Sequence, residues 1–384
     1  MCLHARRKEK LTLDVDVQDK IEDELPTLFH ILKRRKRYET REVRAIKDRQ
    51  EHIYTRPQDI LDTFITHLTQ KYGHTDFDDN SIAIMEAAIP QTCPTVYASQ
   101  LESPITYGEI LMARRAGFCH KAPAIDGIGL EFYTENWVII KSDLKDMVNH
   151  KFIHNQVSNQ QKHAIMLCLP KSHGDPTPDG FRPISLHTTE YKILSRIIAR
   201  CLRPIMAEHL RSSQFCAVPG DSILEAVATV CDAITYAENT GTPTCVLTLD
   251  FESAFDRMSH HYLFIVLRRY GISKRFVERI RNLYDGATAS LQINRMLTVR
   301  IPIQRAVRQG CPFRMVLYAL CLHPLLRILE DRLHCIHIGG ITRISPVLAY
   351  VDDVTLLVTQ PEDFDTILQS IHTYEKATRG QLNT

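Results

Sequence analysis

Two short apolar runs, residues 347–351 and 354–358, lie on either side of Asp352-Asp353. Each is strand-length and rich in Val and Leu, so the pattern predicts two strands joined by a turn that carries both aspartates. Side chains alternate along a strand, so two adjacent carboxylates cannot both enter a core. Rigid flanks would instead hold them at the exposed end of the hairpin. A third carboxylate, Asp250, closes residues 244–249, a run expected to be a buried-type strand. If these strands are neighbours in one sheet, Asp250 and Asp352 meet at its rim. Carboxylates crowded there would repel one another unless a divalent cation sat between them, and oxygen-only ligands favour Mg²⁺ or Mn²⁺ over zinc. Two such ions about 4 Å apart suit phosphoryl transfer. An Asp-Asp pair is equally an ordinary turn dipeptide, and the hairpin alone does not choose between these readings.

The remainder of the chain is compatible with such a sheet. Its 384 residues, 44% hydrophobic and 24% charged, can bury a core shared by two or three subregions. A net charge of +2 excludes a globally basic, histone-like protein and leaves room for a local basic surface. No apolar run approaches the length of a membrane span, and no apolar stretch follows the basic N-terminus as it would in a secretory signal. Eleven cysteines without a C-x-x-C pair point to reduced thiols and an intracellular protein, and none of the histidines meets cysteine at zinc-finger spacing.

Residues 33–37, Lys-Arg-Arg-Lys-Arg, are either a solvated helix face or a phosphate-contacting or nuclear-import patch. Helices are predicted over 57–70 behind Pro57, after a Thr106/Glu109 capping box, over 191–210, over 259–270 before Gly271, over 273–284 before Gly286, and over 312–333. The 191–210 segment turns Ile193, Leu194, Ile197, Ile198 and Leu202 to one side and Lys192, Arg196, Arg200 and Arg203 to the other. Two alternating runs around Asn294-Arg295 predict a hairpin.

Three segments then occur in order: Leu249-Asp250-Phe251-Glu252-Ser253-Ala254-Phe255-Asp256, Arg308-Gln309-Gly310-Cys311-Pro312, and Ala349-Tyr350-Val351-Asp352-Asp353. Together they resemble motifs A, B and C of reverse transcriptases. Upstream, Leu169-Pro170-Lys171, Phe181-Arg182-Pro183-Ile184-Ser185-Leu186 and Tyr191-Lys192-Ile193-Leu194 are similar to the fingers motifs of the LINE-type, non-LTR retrotransposon enzymes. Lys121-Ala122-Pro123 with Asp126-Gly127, Val218-Pro219-Gly220, and Gly380-Gln381-Leu382-Asn383 extend the resemblance from about residue 100 to the last residue.

The resemblance implies an α+β fold: a right-hand polymerase palm with an antiparallel sheet and packed helices, plus fingers and an N-terminal helical extension. The expected division is 1–100 for the extension, 101–243 for the fingers and 244–384 for the palm. It implies an RNA-directed DNA polymerase in which a primer 3′-hydroxyl attacks a dNTP on an RNA template, with two Mg²⁺ or Mn²⁺ ions. Asp250, Asp352 and Asp353 would be the catalytic and metal-binding carboxylates, joined by the Phe251 carbonyl. Lys171 and Arg182 would meet the triphosphate, Phe255 would lie under the sugar and exclude a 2′-hydroxyl, and Gln309 and Gly310 would line the new base pair. Tyr350 would sit near the primer terminus, and Arg308 would touch a phosphate. Glu252 and Asp256 read as structural. The partners implied are RNA template, DNA primer and dNTP, without membrane, in the nucleus and cytoplasm.

The sequence departs from the family pattern in places. Phe313-Arg314-Met315 stands where Leu-Ser-Pro is usual, Ala124 replaces a glycine, and Asp221 replaces a basic residue. The sequence carries neither the upstream endonuclease nor the downstream thumb expected of intact relatives. A truncated piece or a catalytically silent, nucleic-acid-binding remnant is therefore the competing expectation.

Overall fold

A computed structural model describes residues 42–74, 76–90, 101–119, 121–171, 176–210, 213–216, 222–338 and 342–383. The basic run at 33–37 and the Val218-Pro219-Gly220 segment with Asp221 lie outside the described residues. Along the chain, a small hairpin of β1 (Ile46–Lys47) and β2 (Ile53–Tyr54) precedes the helices α1 (Pro57–Tyr72), α2 (Asp79–Ala87), α3 (Tyr107–Arg115), α4 (Leu130–Glu135), α5 (Trp137–His154) and α6 (Asn159–Lys162). Strands β3 (His163–Pro170) and β4 (Phe181–Leu186) lead to α7 (Thr189–His209), α8 (Ile223–Thr240) and β5 (Cys245–Leu249). Next come α9 (Ala254–Arg257), α10 (His260–Arg269), α11 (Lys274–Tyr284), β6 (Thr288–Ile293) and β7 (Met296–Pro302). The chain continues through α12 (Arg314–Arg332), β8 (Ile336–Ile338), β9 (Thr342–Ile344), β10 (Val347–Tyr350), β11 (Asp353–Val358) and α13 (Asp363–Thr378). The content is α+β.

Local chemistry explains most boundaries. Pro57 opens α1, where its missing N–H costs nothing. The Thr106 hydroxyl accepts from the Glu109 N–H while Glu109 reaches back, the reciprocal capping box. Gly271 and Gly286 follow α10 and α11 with φ of 76° and 70°, as left-handed exits require. Asn294 and Arg295 both have positive φ, which makes the β6–β7 connection the tight mirror-image turn that suits strand twist.

Packing divides the sheets. One core wraps the helix α12, whose residues from Val316 to Leu326 are all buried. A helix apolar all round belongs at the centre of a protein, and α7, α10, α11 and α13 surround it. The four-stranded sheet, order β4-β3-β6-β7, packs on α1 through Ile60, Phe64 and Leu68. Its central pair β3–β6 is parallel, so strands from either side of residue 243 share this sheet.

The three-stranded sheet, order β10-β11-β5, is antiparallel, with Leu249 opposite Val354 and Tyr350 opposite Asp353. Two expectations need correction here. Residues 245–249 are an edge strand, not a buried one: Cys245, Val246 and Thr248 are exposed, because among the described residues β11 alone pairs with β5 along its length. The turn also sits one residue earlier than predicted. Val351 and Asp352 form it, while Asp353 already belongs to β11.

Candidate active site

The β10–β11 turn is strained. Val351, β-branched and buried, has φ of 62°, a conformation that such residues adopt only when their surroundings impose it. Gln214 imposes it. Its Oε1 accepts from the Val351 N–H at 2.8 Å and its Nε2 donates to the Val351 carbonyl at 3.2 Å. Gln214 is fully buried, its Oε1 also accepts from the Cys216 N–H, and its segment is bonded to both sides of Ala349 in β10. Nothing in the sequence singled out this glutamine.

Past the strained residue, Asp352 is half-buried and Asp353 exposed. Burial, then the negative charges of Asp353 and Asp250, push the Asp352 carboxyl above its usual range, while Arg314 opposes them. The antiparallel register thus brings Asp250 and the Asp352-Asp353 pair to one end of the sheet, within electrostatic reach of each other.

Asp250 is held by the end of the chain. Asn383 donates its backbone N–H to the Asp250 carbonyl at 2.8 Å and its Nδ2 to Oδ2 at 3.0 Å. The Glu252 N–H donates to the Gln381 carbonyl. These bonds flank Phe251, so its own carbonyl faces the opposite edge, toward β11. Its ring is buried against Tyr374. Glu252 pairs with Arg257, and Asp256 is buried.

Among the described residues no three His, Cys, Asp or Glu side chains form a ready-made metal cage. The donor set is instead an open one of two mutually repelling carboxylates and a carbonyl. That fits a hard cation such as Mg²⁺, which takes one or two carboxylates and leaves its other positions to water and substrate phosphates.

Phe255 packs on Tyr318 with ring centroids 4.9 Å apart, and the Arg314 guanidinium lies 5.0 Å from its centroid. The charged residue that breaks the expected motif therefore covers the proposed sugar gate and also acts on Asp352. Gln309 donates Nε2 to Asp256 at 3.2 Å, and its carbonyl accepts from the Ser185 N–H at 2.8 Å. Gly310 has φ of +99°, and a Cβ built there would fall 2.3 Å from the Ser185 carbonyl oxygen, so only glycine lets the loop dock on β4.

Lys171 and Arg182 are both exposed near the tip of the β3–β4 hairpin, where Arg182 pairs with Leu169. Tyr350 rests against Cys216, which pushes its hydroxyl upward in pKa. Arg308 departs from expectation. It is buried and donates to the Lys162 and Leu283 carbonyls and the Tyr191 hydroxyl, so its guanidinium ties the core together and is closed to phosphate. On α7, Lys192 and Arg196 are half-buried, and Arg196 is spent on the Ala113 carbonyl; Arg200 and Arg203 are exposed.

Residues 169–384 match the family model described as reverse transcriptase (RNA-dependent DNA polymerase). The chain is 31% identical over 284 residues to the transposon TX1 uncharacterized 149 kDa protein of Xenopus laevis, covering 74% of this chain and 22% of that protein. It is 30% identical over 199 residues to the retrovirus-related Pol polyprotein from type-2 retrotransposable element R2DM of Drosophila melanogaster, covering 50% and 18%. It is 26% identical over 324 residues to the probable RNA-directed DNA polymerase from transposon BS of the same fly, covering 77% and 32%. The chain thus spans about a fifth to a third of the length of these relatives. On this match, and with its carboxylates gathered at one end of a sheet, the chain belongs to the reverse transcriptase (RNA-dependent DNA polymerase) family, on its LINE-type, non-LTR branch.

Proposed function

We propose that this chain is the fingers-and-palm portion of a non-LTR retrotransposon RNA-directed DNA polymerase. The palm would comprise the β10-β11-β5 sheet with α12 and α13, and the fingers the β3–β4 hairpin with α3 to α7. The 1–100, 101–243 and 244–384 division remains part of this proposal, although the four-stranded sheet draws on both later segments. The observation that carries the reading is the antiparallel β5–β11 pairing, which brings Asp250 to the end of the sheet that carries Asp352 and Asp353.

Asp250, Asp352 and the Phe251 carbonyl would hold two divalent ions, Mg²⁺ or Mn²⁺, with Asp353 adjacent. Such ions, when bound, would acidify the primer 3′-hydroxyl and neutralise the departing pyrophosphate. Lys171 and Arg182, on their exposed hairpin, would meet the triphosphate by charge-assisted hydrogen bonds. Gln309 and Gly310 would line the new base pair, and Tyr350 would lie by the primer terminus. Phe255 would close the space a ribose 2′-hydroxyl needs. The partners would be an RNA template, a DNA primer and dNTP. No helix among the described residues is long and apolar enough to cross a membrane, and work on nuclear DNA with passage through the cytoplasm is part of the same proposal.

The test is primer extension on an RNA template with Mg²⁺ or Mn²⁺, beside the double variant Asp352→Asn/Asp353→Asn. Extension that the double variant abolishes supports the reading; extension that survives it contradicts the assigned site. One observation favours a second reading, that of a catalytically silent nucleic-acid-binding remnant: the Arg314 guanidinium stands over Phe255, where the sugar would sit. On that reading wild type binds template–primer without extending it. Arg314→Ser, which restores a small residue, then brings extension back.

A further inference from the structure

Asp256 is 2% exposed and lies six residues beyond Asp250, yet no step of the proposed reaction uses it. Three side chains converge on its carboxylate. The Tyr72 hydroxyl donates to Oδ1 at 3.3 Å, Gln309 Nε2 donates to Oδ2 at 3.2 Å, and the Lys71 ammonium lies 3.4 Å from Oδ2. Lys71 also donates to the Ser253 hydroxyl at 2.9 Å, on the turn that follows Asp250 and Phe251. Ser253 itself has a positive φ of 49°, so the ammonium braces a strained residue of that turn.

Lys71 and Tyr72 are the last two residues of α1, and they lie outside the 169–384 segment that matches the family. Their placement is not left to chance. Arg305 donates to the carbonyls of Gln70 and Lys71, and Gln304 donates its N–H to the carbonyl of Tyr72, which ties the end of α1 to the segment that runs from β7 to Gln309. A buried carboxylate without a cation would take a proton or collapse onto another donor. Burial does press the Asp256 carboxyl upward, and Lys71 is the largest influence opposing it.

An ionised Asp256 accepts only, so it fixes which end of the Gln309 amide faces it: the NH₂ group turns inward and Oε1 turns away. A protonated Asp256 could donate to Oε1 instead and reverse the amide. We propose that Lys71 is a positioning residue of the nucleotide pocket: from outside the segment that matches the family, its ammonium sets Asp256, and through it the orientation of Gln309 toward the incoming nucleotide. This rests on the polymerase reading for its substrate, while the Lys71–Asp256–Gln309 chain stands on geometry.

The experiment compares Lys71→Met, Lys71→Arg and the near-isosteric Asp256→Asn with wild type. Two readouts are taken: steady-state dNTP kinetics on an RNA template, and the side-chain amide resonance of Gln309, assigned by its loss in Gln309→Ala. Lys71→Met is expected to raise the KM for dNTP about tenfold, equivalent to about 1.4 kcal/mol, with kcat changed far less. It should also move the Gln309 resonance; Lys71→Arg should restore both, and Asp256→Asn should resemble Lys71→Met. On a Gln309→Ala background Lys71→Met should add nothing, since both act through one contact. A Gln309 resonance unmoved in folded Lys71→Met, or a KM unchanged while only thermal stability falls, overturns the proposal. Absence of extension by wild type would overturn the polymerase reading alone, because the amide resonance decides the Lys71 role without turnover.

Discussion

Gln214→Ala removes the residue that holds the β10–β11 turn in its strained shape. Three hydrogen bonds go with it, two to Val351 and one to Cys216. Each such bond is worth on the order of 1 kcal/mol net, and a buried N–H left without an acceptor costs about 1–3 kcal/mol. The left-handed Val351 stores a further ~1–3 kcal/mol, which the turn can release only by changing shape and so moving Asp352. The sum of lost bonds and orphaned groups, less the strain released, predicts a loss of about 2–4 kcal/mol. Equilibrium urea unfolding followed by circular dichroism would read it as a lower midpoint at unchanged slope. Gln214→Met separates bonding from packing, since it fills the same space without donors or acceptors. It should cost nearly as much as alanine. Both variants should also lose primer extension at temperatures where they remain folded. A loss below about 0.5 kcal/mol, typical of an unremarkable surface position, would refute the reasoning. So would a methionine variant as stable as wild type, because packing alone would then explain the site.

Other consequences can be checked singly. Gly310→Ala must either move the loop off Ser185 or strain φ at +99°; a loss of at least about 2 kcal/mol in unfolding free energy and a higher KM for dNTP are expected. Phe255→Ala should increase ribonucleotide incorporation relative to deoxynucleotide, read by competitive single-nucleotide extension; an unchanged ratio would remove the gate. His260, half-buried, is held down to about 4 by desolvation and the nearby Arg308 charge, with its hydrogen bond to the Ala306 carbonyl opposing them, so the unfolded chain takes up a proton in a window where the folded protein does not. Its contribution to stability is therefore present above about pH 6.5 and is lost as pH falls toward 4, at up to ~1.4 kcal/mol per pH unit. In His260→Gln the difference in guanidinium unfolding free energy between pH 5 and pH 7 should shrink; an identical difference would show that His260 does not carry it.

Most of the site was legible before any geometry, because its chemistry is written in short contiguous runs. Asp352-Asp353, Gln309-Gly310 and the run from Asp250 to Asp256 announce themselves by residue type and order, and strand periodicity placed the two aspartates at the right hairpin, one residue out of register with its turn. What the sequence hid is contact across distance. Gln214 is one residue of a short polar run, 137 positions from the Val351 it restrains, and only the fold brings them together. Lys71 reads as one more charge at a helix end until Asp256 is found beside it, 185 residues on. Arg308 misled for the converse reason: an arginine beside a nucleotide motif suggests phosphate, whereas burial gave it three protein acceptors. The edge position of β5 was equally hidden, since an apolar strand reads alike whether one neighbour or two will pair with it.

The account turns on Asp250 and Asp352 forming one cation site with the Phe251 carbonyl. Diffraction at the manganese edge, from crystals of the chain with Mn²⁺ and a dNTP, tests that most directly. The account predicts anomalous peaks bound by Asp250 and Asp352, and their loss in Asp352→Asn. Peaks confined to other carboxylates, such as Asp179 beside His67, or none between Asp250 and Asp352, would contradict it.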